Sequence, residues 1–384
     1  MQISETKTYD YIIAGAGCAG LSLLYAMLQE PLLQHKKILL IDKNAKKEND
    51  RTWCFWQKEA SVFEDVVCYK WSNLKFESNY YTASFNINPY SYKMIKGIDF
   101  YNYVLEFAAK FSNVSFINES ITAIEVQKNT AVATTINGSF KANYIFNSTN
   151  LLYNLTQPKL LQHFLGWEIS TPKPCFDDTL ATFMDFTVPQ TNGTTFMYVL
   201  TTSPTKALVE YTLFTKDILP KHEYETAIKK YVKDKLGIQE FEILHEEFGV
   251  IPMTKQQFAA HHQQKIINIG TAAGCVKASS GYTFSFIQKH TKAIVQKLVN
   301  NQSPIVSSSF WDKRFKVYDN TLLEVLLQKK MNGDEIFARI FKAIEPQTVL
   351  AFLDNDSTLL NEIKIMSSVP TSTFLPIALK EFFS

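Results

Sequence analysis

Apolar residues first gather in short unbroken runs along the chain. Tyr11-Ile12-Ile13-Ala14 and Lys37-Ile38-Leu39-Leu40-Ile41 read as buried strands, and Leu21 to Leu28 between them, rich in Leu and Ala, predicts a helix. Residues 60–100 are dense in aromatic side chains that alternate loosely with polar ones, which predicts strands of a sheet covering a cleft. A helix is expected over Phe100–Phe111, then strands over Ile121–Val126, Ala131–Ile136 and Phe140–Phe146, with Asn137-Gly138 as the hairpin signal between the last two. Strands resume over Phe164–Ile169, Thr182–Gln190 and Ala207–Phe214, and again over Ile266–Ile269. A helix opens after Gly281 and runs to about Asn300. Residues 309–384 read as mainly helical, most clearly over Phe310–Leu327 and Asp334–Ile344. The apolar, proline-punctuated stretch Val369–Leu379 either docks on the body or touches lipid. His261-His262, in a Gln-rich stretch, reads as an exposed loop.

The first strand leads directly into Gly15-Ala16-Gly17-Cys18-Ala19-Gly20, and the second ends on Asp42. Strand, glycine turn, helix, strand and acid form the full context of a dinucleotide site. Gly15 permits the tight turn, Gly17 lets the backbone approach a pyrophosphate, and Gly20 lets the helix pack against the strand. The helix start offers free N–H groups and the positive end of its dipole to phosphates. Asp42 follows Gly20 by about 20 residues, where an acid holds a ribose hydroxyl. The motif does not by itself separate FAD from NAD. Arg51, in Asp50-Arg51-Thr52-Trp53, has two readings: a fork on cofactor phosphate or ribose, or a surface Arg beside a buried Trp. Gly270-Thr271-Ala272-Ala273-Gly274, after a strand and before a helix, is a second candidate turn at the cofactor. Many flavoproteins carry an Asp where this chain has Thr271.

Composition narrows the class. The chain has 384 residues, 46% of them apolar and 20% charged, enough for a large core. A net charge of +2 with no clustered basic face argues against a nucleic-acid partner. Five scattered cysteines without a Cys-x-x-Cys pair suit a reducing cytoplasm rather than a disulfide framework. No metal-ligand spacing is present. No stretch reaches the ~20 apolar residues of a membrane span, and no secretory signal is expected. The 29 Phe, 18 Tyr and 5 Trp serve an ordinary core or, as a set, line a tunnel for a long apolar ligand.

Three strands carry carboxylates within apolar runs: Glu168, Asp185 and Glu210. Each either faces solvent or, in an apolar cleft, keeps its proton through desolvation and serves as an acid. Together, the glycine motif at 15–20, Asp50-Arg51-Thr52-Trp53, Gly166-Trp167-Glu168, Met184-Asp185, Leu208-Val209-Glu210-Tyr211-Thr212, Gly249-Val250-Ile251-Pro252-Met253 and Gly281-Tyr282 resemble the bacterial lycopene β-cyclase family. That family is related in fold to flavin hydroxylases of the p-hydroxybenzoate hydroxylase type. The resemblance spans almost the whole chain, in order.

The resemblance implies an α/β, Rossmann-type FAD-binding flavoprotein fold with a β-sheet substrate lobe and a helical C-terminal region. The expected FAD domain is discontinuous, over 1–60, 100–160 and 265–300. The substrate lobe covers 61–99 and 161–264, and the helical region 301–384. Implied cofactor contacts are Gly15, Gly17, Gly20, Asp42, Arg51 and Gly270. In the family the first Glu of a Glu-acid-Thr block is the catalytic acid–base. Glu210 keeps that place, while Tyr211 stands where the second acid would be. The implied activity is non-redox cyclisation of the ends of lycopene, or a related linear carotenoid, to β-ionone rings. It uses FAD in its reduced form, with NADPH as reductant, in a cytoplasmic protein attached peripherally to a membrane surface. Two other classes stay open: a redox flavoenzyme, either an aromatic hydroxylase or an isoprenoid reductase, which would consume NADPH in proportion to product, and a carrier of an apolar ligand without turnover.

Overall fold

The computed structural model describes residues 7–155, 159–307 and 312–383. The chain opens with β1 (Thr8–Ala14), α1 (Cys18–Gln29), β2 (Ile38–Asp42), β3 (Thr52–Gln57), β4 (Tyr69–Trp71), β5 (Asn73–Glu77), β6 (Thr82–Asn86), β7 (Ser91–Lys96) and α2 (Gly97–Ala108). It continues with β8 (Val114–Asn118), β9 (Ile121–Gln127), β10 (Thr130–Thr135), β11 (Gly138–Asn147), β12 (Leu160–Ser170), β13 (Leu180–Asp185), β14 (Thr194–Ser203), β15 (Lys206–Thr215), α3 (Lys221–Asp234) and β16 (Glu242–Met253). Then follow β17 (His261–His262), β18 (Ile266–Asn268), α4 (Phe284–Val299), α5 (Lys313–Leu327), α6 (Gly333–Ala343), α7 (Pro346–Leu353), α8 (Leu359–Ser367) and α9 (Thr371–Phe382).

The first sheet runs β17-β18-β11-β1-β2-β8, with β10 and β9 added through β11. β1 is parallel to both β2 and β11, and β11 is parallel to β18. Cover on both faces explains the unbroken apolar runs Tyr11–Ala14 of β1 and Ile38–Ile41 of β2. Ile13, Ile38 and Leu40 pack under α1, α2 and α4, while Ile12, Leu39 and Ile41 pack against Ile124, Ala131 and Ala133 of the β9–β10 layer. Both faces are covered, so both must be apolar. The β10–β11 turn is Ile136-Asn137, with Gly138 already paired to Thr135. The expected Asn137-Gly138 turn thus shifts by one residue, and Ile136 leaves the strand as an exposed side chain.

The second sheet runs β16-β12-β15-β14-β13-β5-β6, antiparallel except for the β13–β5 pair. Along β14, Phe196, Tyr198 and Leu200 face one core, while Met197 and Val199 face another beneath α3. The α5–α7 segment covers the first core through Leu323, Phe337, Phe341 and Leu350. A small sheet, β3-β7-β4, joins the two lobes. Strand β13 ends at Asp185, short of the expected Gln190, because Asp185 bends the chain by accepting from the backbone N–H and hydroxyl of Thr187. His261-His262 is a short half-buried strand and not an exposed loop: it pairs with β18, and Asn268 donates to His262 Nε2 at 3.2 Å. The expected helix start at Phe310 lies outside the described residues. Pro376 stands inside α9. No helix among the described residues is long and apolar enough to cross a membrane.

Candidate active site

The glycine turn closes β1 onto α1. Gly15 sits at φ +101°, and a Cβ on Gly20 would stand 1.9 Å from the Gly15 carbonyl oxygen, so both positions require glycine. A Cβ on Gly17 would meet open space. Gly17 caps α1 without a side-chain bond, and the first turn carries no acid, so its N–H groups point into that space. Asp42 Oδ2 accepts from the Ala16 N–H at 2.6 Å, and Asp42 Oδ1 from the Asn44 N–H at 2.7 Å, which fixes the acid beside the turn. Gly270 lies behind α1: at φ +59°, a Cβ there would stand 2.7 Å from the Ala19 Cβ. The Arg51 side chain is 65% exposed, lies 3.7 Å from Asp50, and is close enough to Cys18, at the start of α1, for its charge to act on that thiol. Arg51 is thus a surface side chain near the glycine turn, with the buried Trp53 two residues on.

One cavity of about 950 Å³ runs from Arg51 and Thr271–Gly274 to the face of the second sheet. Glu210 lines it from β15, together with Leu208 on the same face, as alternation predicts. Tyr211 points the other way, into the core beneath α3. It is no partner for Glu210 in the cavity. Glu210 borders the cavity and is otherwise enclosed by protein. Burial pushes its carboxyl up to about 8, the Thr212 hydroxyl that donates to Oε1 at 2.6 Å pulls it down, and Glu247 adds to the rise. At neutral pH Glu210 therefore holds its proton.

A cluster of tyrosines lines the cavity wall near Glu210. The Tyr282 hydroxyl lies 3.2 Å from that of Tyr92 and 3.4 Å from that of Tyr198. Its ring meets Trp56 edge-on with centroids 4.6 Å apart. Burial raises the Cys54 thiol and the Tyr92, Tyr198 and Tyr282 phenols, so all four stay neutral. The other candidate acids are occupied elsewhere. Glu168 accepts from Lys96 Nζ at 2.8 Å, and the buried Asp185 accepts from the Tyr231 hydroxyl at 2.6 Å with Lys235 at 3.7 Å. Neither borders the cavity.

The sequence reading missed Glu247, on β16. It borders the same cavity, and its Oε1 accepts from the Thr52 N–H at 3.0 Å. Glu246 beside it pairs with Lys221 at 2.6 Å and accepts from the Trp167 indole at 3.0 Å. Nothing in the run Glu242–Met253 separates one acid from the other, since its apolar and charged residues do not alternate cleanly. Among the described residues no group of His, Cys, Asp and Glu is arranged to hold a metal.

A glycine-turn domain sharing one cavity with a β-sheet lobe is the Rossmann-type FAD-binding flavoprotein fold. Solved structures of this fold include a geranylgeranyl bacteriochlorophyll reductase-like protein from Thermoplasma acidophilum, with a TM-score of 0.65 and 11% identity over 98% of this chain and 99% of that one. They also include a flavoprotein/dehydrogenase from Cytophaga hutchinsonii (TM-score 0.62, 12% identity, 94% and 100% covered) and p-nitrophenol 4-monooxygenase from Pseudomonas putida (0.57, 12%, 98% and 98%). Residues 10–378 match the lycopene cyclase protein family, and the chain belongs to that family. It is 26% identical over 286 residues to a lycopene beta-cyclase from Pantoea ananas, covering 72% of this chain and 71% of that protein. Membership implies an enzyme acting on a linear carotenoid.

Proposed function

We propose that this chain is a lycopene β-cyclase that closes β-ionone rings without net redox change, with Glu210 as the acid. The observation that carries the reading is Glu210 itself: a carboxyl largely enclosed by protein, whose burial favours its protonated form, in an aromatic-lined cavity that continues to the FAD-fold turns. Glu210 delivers its proton to the terminal double bond, whose π pair forms the new C–H bond. The resulting cation is attacked by the neighbouring double bond, and return of a ring proton to the Glu210 carboxylate restores the acid and neutrality, so the product is an isomer of the substrate. The aromatic rings of Tyr92, Tyr198 and Tyr282, which line the cavity, suit a transient cation.

The residues fit a flavin. Open space at Gly17 leaves room for a pyrophosphate, and Gln162 Oε1 and Ser280 Oγ are buried at the cavity without a hydrogen-bond partner. Gly15, Gly17 and Gly20 would carry the pyrophosphate, Asp42 the ribose, Arg51 a phosphate, and Gly270 the close approach of the second turn. When bound and reduced, with NADPH as the proposed reductant, the flavin supplies negative charge that favours the cationic intermediate.

The proposed partner surface is a lipid bilayer holding the substrate. Helix α8 exposes Leu360 (74%) with Leu359 and Ile363, and α9 with the residue after it exposes Leu379, Phe382 (66%) and Phe383 (82%). Phe382 also borders the cavity, so exposed apolar surface on α9 adjoins the route to Glu210. Lys364 and Lys380, on the same two helices, suit anionic headgroups.

The test is conversion of lycopene in vesicles by flavin-loaded protein under reducing conditions, with NADPH followed in parallel. Cyclic product without stoichiometric NADPH loss is the expected result. NADPH loss in proportion to product would move the chain to the redox flavoenzymes.

A further inference from the structure

Glu247 faces the cavity and has no part in the acid step above. Its place is set by strand register: on β12, Gly166 pairs with Glu210 of β15 on one side and with Glu247 of β16 on the other. Directly opposed residues in antiparallel strands share a face, so both glutamates and Gly166 stand on one side of the sheet. Neighbouring strands lie ~4.8 Å apart, which puts the two backbones ~10 Å apart with only a glycine between them. A Cβ on Gly166 would already stand 3.5 Å from Glu210 Cβ and Cγ, so any larger residue would fill the space separating the acids.

The surroundings of the two carboxyls differ. Burial raises the Glu247 carboxyl, while the Thr52 N–H, which donates to it at 3.0 Å, His245 and the Arg51 guanidinium pull it back down. Glu210 accepts from the Thr212 hydroxyl and is otherwise faced by Cys54, Tyr198 and Tyr282, all neutral. The Arg51 guanidinium and a backbone donor oppose burial at Glu247, whereas only the Thr212 hydroxyl opposes it at Glu210, so the charged form is easier to reach at Glu247. When two neighbouring carboxyls sit in environments that separate their affinities for a proton, one becomes the acid and the other the anion.

We infer that Glu247 is the ionised partner of Glu210, a positioning residue that acts across Gly166 to hold the proton on Glu210 and leave one negative charge in the cavity. The inference rests on the acid role proposed for Glu210. Because Thr52 follows Arg51 directly, the backbone that carries the candidate phosphate contact also holds the anion in place. The site then has a second carboxylate after all, drawn from β16 rather than from the residue after Glu210.

Infrared difference spectroscopy of the purified protein tests this, reading the protonated-carboxyl C=O band that Glu210→Gln removes. Glu247→Gln keeps an acceptor for the Thr52 N–H but removes the charge. The Glu210 titration, and the alkaline limb of the pH–rate profile, should then move down by about one pH unit, as expected for one charge at ~10 Å and a dielectric of ~20. Glu246→Gln, on the other face, should move neither. A folded Glu247→Gln protein with Glu210 titrating at the parental pH overturns the inference. So does a parent-minus-Glu210→Gln difference at pH 7 that lacks the protonated band, a comparison that needs no Glu247 variant to fold. The infrared reading does not depend on turnover: a shifted titration in a protein that never cyclises lycopene would sink the acid role while the carboxyl pairing stands.

Discussion

Glu210 and Glu247 flank Gly166 in one row across three neighbouring strands, and Tyr198 extends that row by a fourth residue through its register with Glu210. The glycine in the row leaves the two acids a shared face with no side chain between them. Burial favours the proton on Glu210 against the pull of the Thr212 hydroxyl, and the Thr52 N–H and Arg51 counter burial at Glu247.

Glu210→Gln keeps size and polarity and removes the transferable proton. Cyclisation should fall at least ~100-fold, the low end for losing a general acid, with flavin content unchanged. Pigment analysis of folded, flavin-loaded protein checks this, and near-parental turnover would place the acid elsewhere.

The acid form of Glu210 is the active one, and its carboxyl titrates at about 8, so the rate should be level below that pH and fall about tenfold per unit above it. Stability follows with a definite sign. The folded carboxyl sits above its ordinary 4.5, so the unfolded chain releases the proton first, and stability declines as pH rises between 4.5 and about 8. Glu210→Gln escapes that decline. Its melting temperature should exceed the parent's at pH 8 by more than at pH 4, as calorimetry at both values would show.

Gly17→Val should give a folded protein that has lost flavin. The new side chain meets no protein atom within 4 Å of its Cβ, so any penalty falls on whatever binds at the turn. Parental circular dichroism with no bound flavin absorbance is expected, and a variant that retains flavin would refute the cofactor assignment.

Lys277 is fully buried and donates to Asp319 at 2.7 Å and to Asn355 at 2.9 Å, pinning the loop before α4 to α5. Lys277→Ala leaves Asp319 buried without its cation and should cost about 3–5 kcal/mol in denaturant unfolding. A loss below about 1 kcal/mol would mean that water replaces the lysine.

Leu360→Ser with Phe383→Ser removes two of the most exposed apolar side chains of the C-terminal helical region. Flotation with anionic vesicles should drop, with helix content unchanged. Equal flotation would move the lipid contact to another face.

Much of this arrangement was readable in the chain because it depends on short-range patterns. The glycine turn needs only local backbone freedom at Gly15 and close approach at Gly20. The facing of Glu210 follows from strand alternation, which also turns Tyr211 away. Other features depend on distant partners. Strand β14 is apolar on both faces and lacks an alternating signal, so it passed unread, as did α3, whose Tyr224 and Ile228 are buried only because β12 and β15 lie beneath them. Glu247 differs from Glu246 only in what its face meets, and Thr52 is 195 residues away.

Strand β11 lies parallel to both β1 and β18, and its first half also carries the β10 hairpin. The glycine-turn domain therefore takes its last sheet strand from Ile266–Asn268, after the whole segment that carries Glu210 and Glu247 has been made. During synthesis the amino-terminal lobe waits, with the β18 side of β11 uncovered, until the substrate lobe has emerged. Such late, long-range closure folds slowly and leaves an unpaired edge open to aggregation in the meantime. Chains truncated before Ile266 should accumulate as insoluble material rather than as a smaller flavin-binding domain.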